Sequence, residues 1–143
     1  MTQEHWLGKE HGRPGYDASV PPALRIRPGT GERIAFETDD AVYAELHEHG
    51  DLGALKAPIN PVTGPVYVEG AKPGDALAVH VHEIRLGAYG WSQSLPGAGA
   101  LQHRMPDHVV SRRIPIDAEG VHLTDRHVVP ARPMIGGIGT APA

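Results

Sequence analysis

Carboxylates and imidazoles are the side chains with the means to do chemistry here, because the 143-residue chain carries ten histidines and no cysteine. Without a thiolate, any metal ion must be held by His and carboxylate. Asp39 and Asp40 stand side by side, and two carboxylates at close range push one pKa upward, as general acid-base work requires. Neighbouring strand residues point to opposite faces, however, so the competing reading is a carboxylate at a strand end or helix cap. His5, His11 and Asp17 are a second group with metal-ligand chemistry, set against a plain alternative of solvated histidines on a terminal arm. His47 and His49 flank Glu48, and His80 and His82 are also two apart. Residues at i and i+2 share a face on a strand but not on a helix, so only a strand would let either pair grip one ion. Two ligands are still too few for a zinc site, and solvated histidine is the plain reading of both pairs. His103, His108, His122 and His127 follow no metal-binding spacing.

No Gly-x-Ser-x-Gly elbow, Ser-His-Asp order or phosphate-binding glycine loop occurs. Trp91 has two readings, as the wall of a small-substrate cavity or as the anchor of a loop to the core.

The elements that must position these groups are short. Proline in Asn60-Pro61 and Thr63-Gly64-Pro65 sets its own φ and pushes the preceding residue from helix. Val66, Tyr67 and Val68 are β-formers, and Lys72-Pro73-Gly74-Asp75 has the chemistry of a tight turn. Residues 76–86 then give the clearest strand pattern in the chain, with Leu77, Val79 and Val81 on one face and Ala78, His80, His82 and Ile84 on the other. Residues 23–27 and 32–38 predict a further strand pair, joined by Pro28-Gly29-Thr30-Gly31 as a hairpin or as consecutive strands of one sheet. Residues 109–116 and 121–129 predict two more strands about a turn at 117–120. Residues 1–16 read as a loop or arm, 87–99 as a surface loop and 101–107 as a polar connector. Helical promise is confined to 41–55, where Gly50 and Gly53 limit it to a short helix or turn.

With 18 glycines and 14 prolines, the chain favours turns and short strands over long helices. Its length suits a single domain, residues 1–143. A formal charge of −4 and an even scatter of basic residues argue against nucleic acid as a partner. No apolar run reaches membrane-spanning length and no leader pattern opens the chain, so the expectation is a soluble, cytoplasmic protein without a membrane partner. The tail, 130–143, is apolar and rich in Gly and Pro, the composition of a segment meant to be covered.

Asn60-Pro61-Val62-Thr63-Gly64-Pro65-Val66-Tyr67-Val68-Glu69-Gly70-Ala71-Lys72-Pro73-Gly74-Asp75 resembles the signature of the acetamidase/formamidase family. Later segments agree in order: Pro96-Gly97-Ala98-Gly99 with Leu101, then Arg132-Pro133-Met134-Ile135-Gly136-Gly137-Ile138-Gly139-Thr140-Ala141-Pro142. Earlier, 17–22 and Pro28-Gly29 fit the family's opening. The resemblance spans nearly the whole chain and corresponds to the N-terminal half of the family, whose second half holds its densest His, Asp, Gln and Glu motifs. Composition and resemblance together imply a mainly β fold, a two-sheet, jelly-roll-like β-sandwich with at most short helices.

The resemblance also implies hydrolysis of a small linear amide, formamide- or acetamide-like, to ammonia and carboxylate. The metal-assisted form of that chemistry uses a divalent ion, zinc in the simplest case, which polarises the carbonyl and lowers the pKa of bound water. Asp17, within a Tyr16-Asp17 pair like the family's aromatic-Asp pair, and Asp40 are the catalytic carboxylates expected, and His11 the metal ligand. Trp91, Gly136 and Gly139 are the substrate-binding residues expected, the glycines through close backbone approach. The implied partners are the amide and either further copies of the chain or a complementary chain bearing the rest of the fold. The rival readings are a non-catalytic half that needs a partner, and a histidine-rich metal-binding module.

Overall fold

The structure is a computed structural model that describes residues 3–141; Met1 and Thr2 of the expected arm and Pro142 and Ala143 of the tail lie outside the described residues. The chain divides into two compact units. The first comprises the residues up to Asp40, Pro58–Val79 and the stretch from Ile138; the second comprises Ala41–Ala57 and His80–Gly137. Strands dominate both, as expected, and one short α-helix is present among the described residues.

In the first unit, β1 (Glu4–Leu7) runs parallel to β4 (Arg33–Phe36), and β3 (Leu24–Ile26) runs parallel to β6 (Val66–Val68). A third pair, β2 (Gly12–Arg13) with β5 (Val62–Thr63), is antiparallel. Two expectations are corrected here. Residues 4–7 are a strand and not part of an arm, because Gln3 and Leu7 carbonyls accept from Arg33 and Glu37 N–H at 2.9 Å, and Leu7 is only 3% exposed. The glycines and proline of that stretch break the chain only after Leu7. The strands at 24–26 and 33–36 likewise form no hairpin with each other and lie in different sheets. The loop between them closes instead on Glu32, whose carboxylate accepts from Arg27 N–H and Thr30 Oγ, both at 2.9 Å. With Gly29 and Gly31 both at positive φ, this turn sends each strand to a different parallel partner.

The expected strand at Val66–Val68 and the turn after it are present. Asp75 N–H donates to the Lys72 carbonyl (3.0 Å) and Lys72 N–H to Asp75 Oδ2 (2.8 Å), with Gly74 at φ 95°. The strand expected next is not: no residue from 76 to 87 belongs to a strand, because no ladder partner meets it among the described residues.

The second unit is built on α1 (Ala41–His49) and the antiparallel pair β7 (Tyr89–Ser94) and β8 (Val110–Pro115). Val42 and Leu46, one turn apart, are buried on the helix, as is Ile114 of β8. Gly50, at φ 64°, ends α1 and donates its N–H to the Leu46 carbonyl. Strand β7 corrects the expectation of a loop over 87–99: its glycine and serine positions are tolerated because a six-residue ladder to β8 supplies the order that composition withholds. The single strand expected over 121–129 is a tight hairpin, β9 (Val121–Thr124) and β10 (His127–Val129), folded back at Asp125-Arg126. Asp117 and Gly120 close the 117–120 turn with reciprocal backbone hydrogen bonds of 3.0 and 3.2 Å, as the sequence predicts. No helix of the described residues is long and apolar enough to cross a membrane.

Candidate functional site

The nominated residues are shared between the two units. In the first, Asp17 lies exposed in a loop, where its Oδ1 accepts from Ser19 N–H (2.8 Å) and Ser19 Oγ (2.7 Å). The hydroxyl bond, with the backbone bond second, holds the carboxyl below its ordinary pKa. Asp17 is therefore a standing anion at neutral pH, suited to charge stabilisation or ligation more than to proton relay. Its neighbour Tyr16 lies over Gly139: a Cβ on that glycine would stand 2.7–3.1 Å from the ring carbons, so a side chain there would require the ring to shift. The fold thus brings Tyr16, the neighbour of Asp17, and Gly139 together.

His11 closes a short 3-10 turn, Lys9–His11, half-exposed, with Nε2 3.6 Å from the Glu10 carboxylate. Its carbonyl accepts from Gly64 N–H at 3.2 Å, which ties the turn to the proline-rich signature. Asp40 is half-buried and directly precedes Ala41, the N-cap position of α1; neither it nor Asp39 is without a partner. That placement fits the capping alternative.

In the second unit, Trp91 sits within β7, edge-on to Tyr89 with ring centroids 5.4 Å apart and tilted against His47 of α1 at 5.3 Å. Gln93 Nε2, two residues along the same face, donates to the Tyr43 carbonyl (3.0 Å) and to Ser111 Oγ (3.1 Å), and His47 Nδ1 meets that hydroxyl at 3.2 Å. Trp91 therefore belongs to the seam that fastens the helix to the ladder. Gly136 has open space where a Cβ would stand, so nothing local demands glycine there.

A second polar pair escaped the sequence reading. His122 Nε2 lies 2.9 Å from Asp117 Oδ1. The nitrogen is enclosed, and the contact falls short of good hydrogen-bond alignment. The Asp117 carboxyl is held below its ordinary value by His122 first, then by Glu119 N–H at 2.8 Å. The signal was available: Asp at the first position of a turn, with His two residues past the turn's glycine.

The pair lines an open hollow of about 410 Å³ with Arg112, Arg113, Thr124 and Asp125. Another, of about 380 Å³ in the first unit, is lined by Arg25, Arg27, Glu32 and Glu69 among others. No nominated site residue lines either hollow. Among the described residues, no three His, Asp or Glu side chains converge as an ion would need. His80 and His82 do adjoin, with ring centroids 4.5 Å apart, but they remain two. His47 and His49 lie on a helix, where i and i+2 diverge. The residues present do not by themselves fit a metal centre.

Short paired strands, a cross-braced helix and a loop whose Tyr16 lies over a glycine of the tail define a β-rich scaffold. Comparison places that scaffold. The chain matches the Acetamidase/Formamidase family over residues 2–143 and belongs to it. It is 31% identical, over 144 aligned positions, to an acetamidase of Mycolicibacterium smegmatis, covering 87% of this chain and 34% of that protein. The crystal structure of an acetamidase from Bacillus halodurans superposes with a TM-score of 0.84 at 31% identity, covering 96% of this chain and 46% of the other. That of a predicted acetamidase/formamidase from the thermophile Thermoanaerobacter tengcongensis gives 0.82 at 27% identity, covering 99% and 47%. The chain spans about half the length of these solved relatives and about a third of the curated one.

Proposed function

We propose that this chain is the N-terminal part of an amide hydrolase that converts a small linear amide to a carboxylate and ammonia. The family match over residues 2–143 carries this reading. In the reaction, a water oxygen bonds to the amide carbon, the carbon-nitrogen bond breaks, and the departing nitrogen takes a proton. Asp17 contributes fixed negative charge, and Asp40 is the second carboxylate. The metal-assisted form, with a divalent ion such as zinc and His11 as one ligand, requires donors from outside these residues, since no three converge among those described. The same observation favours a complementary polypeptide as the partner that completes the site.

Ammonia release from formamide and acetamide tests the reading. The chain is assayed alone and mixed with the portion of the B. halodurans acetamidase that it does not cover, with bound metal measured in each sample. The expected result is turnover in the mixture only, falling about a hundredfold or more in Asp17→Asn or Asp40→Asn. Absence of ammonia from both samples refutes the hydrolase reading, and turnover by metal-free protein refutes its metal-assisted form.

A further inference from the structure

Within the first unit, the turn that carries His11 is held from two directions. Glu37, just past β4, accepts twice: its Oε2 takes the Lys9 N–H at 3.2 Å and its carbonyl takes Thr63 Oγ at 2.6 Å. Thr63 is laddered to Gly12 in the β2–β5 pair, and the next residue, Gly64, donates its N–H to the His11 carbonyl at 3.2 Å. Pro61 also stands against the turn, since a Cβ on Gly12 would lie 3.5 Å from Pro61 Cβ. A turn of three residues does not keep its shape alone. Here its first N–H and its last carbonyl are both fixed, while the His11 side chain stays 36% exposed and open to a ligand. Valine would serve a strand at position 63 as well as threonine does, so strand propensity does not account for the hydroxyl. What the hydroxyl adds is the short bond to Glu37, which joins the signature segment to the residue that holds Lys9.

We propose that Thr63 is a positioning residue for His11, acting through Glu37, so that residues 61–64 of the signature serve to present the imidazole in one fixed place. Thr63 touches neither the amide nor the attacking water; it sets where His11 stands when they arrive. The inference deepens the amide-hydrolase reading and rests on it for what the imidazole does, but not for how the imidazole is held.

Thr63→Val, which keeps the side chain's shape and removes its donor, is compared with Thr63→Ser, which keeps the donor. In the intact chain, Thr63→Val should speed hydrogen exchange at the Gly64 amide about tenfold, and Thr63→Ser should leave it slow. The His11 ring signals in NMR should shift or broaden in Thr63→Val and return in Thr63→Ser, with the His122 ring in the second unit as an unmoved control. In the mixture with the uncovered portion of the B. halodurans acetamidase, Thr63→Val should lower kcat about tenfold and change KM by about twofold or less, and Thr63→Ser should restore kcat. Unmoved His11 signals in Thr63→Val overturn the proposal, as do equal effects of the two substitutions or a loss confined to KM. If Thr63→Val fails to fold, Glu37→Ala releases the Lys9 N–H and leaves Thr63 in place; it must move the His11 signals, and no movement overturns the proposal. Absence of ammonia from the unsubstituted mixture counts against the hydrolase alone, because exchange and the ring signals still decide how His11 is held.

Discussion

Strand β8 and residues 76–86 carry related patterns, and the chain treats them oppositely. In β8, Ile114 is 6% exposed, enclosed by a six-residue antiparallel ladder to β7 and by the packing of α1. In 76–86, Val79 stands in no ladder and more than half exposed. Alternation dictates which side chains share a face; it does not supply a partner. The histidines show the same division. His47, on a helix, is engaged by Ser111 and Trp91 from a neighbouring ladder, whereas His80 and His82, on the unladdered stretch, pair with each other.

The comparison breaks most visibly under truncation. Ile114→Ala or Leu46→Ala should cost about 2–5 kcal/mol through lost burial and a cavity, and Val79→Ala about 0.5 kcal/mol or less in the isolated chain. Urea denaturation monitored by circular dichroism measures both; equal losses would mean that 76–86 is packed after all. A smaller effect separates the turns that bound these regions. Gly120, at φ 138°, has the Val129 carbonyl where a Cβ would go, while Gly74, at φ 95°, faces open space. Gly120→Ala should therefore destabilise by about 2–3 kcal/mol and Gly74→Ala by about 1, measured by thermal unfolding.

The smallest effect is electrostatic. The Asp117 carboxyl is lowered in the folded chain, so its contribution to stability is present above the unfolded carboxylate pKa of about 4 and is lost as pH falls through the lowered value. Carbon-detected NMR titration should place Asp117 below an ordinary Asp, and His122→Ala should move it back towards the ordinary value. No movement would show that the Glu119 amide, not the imidazole, dominates.

Much of the turn structure was legible in the residues, because a turn is decided within four positions. Lys72-Pro73-Gly74-Asp75, the closure at Asp117 and Gly120, and the helix stop at Gly50 all formed as local chemistry dictates. Strand β6 was legible for the same reason. Pairing was not: β1 reaches β4 across some 25 residues of chain, and β3 takes β6 in preference to its neighbour in sequence. Strand β7 was hidden because Gly90, Ser92 and Ser94 carry little strand propensity, and only the ladder to β8 makes them one.

At the candidate site, Asp17 and Gly139 illustrate both cases. Each could be nominated from its type and neighbours, but the approach of Tyr16, next to Asp17, to a glycine more than a hundred residues away could not. The His122–Asp117 pair was open to discovery from the turn and was passed over because its spacing follows no metal pattern.

By itself, the sequence determined where the chain turns, that it is mainly β, and which family signature it bears, since these depend on residue type over short windows. Tertiary structure alone decided which strands meet, that Trp91 braces a helix, and that the clearest strand pattern has no ladder among the described residues. Pairing requires a second segment at the right distance and register, and no single stretch of sequence contains its own partner.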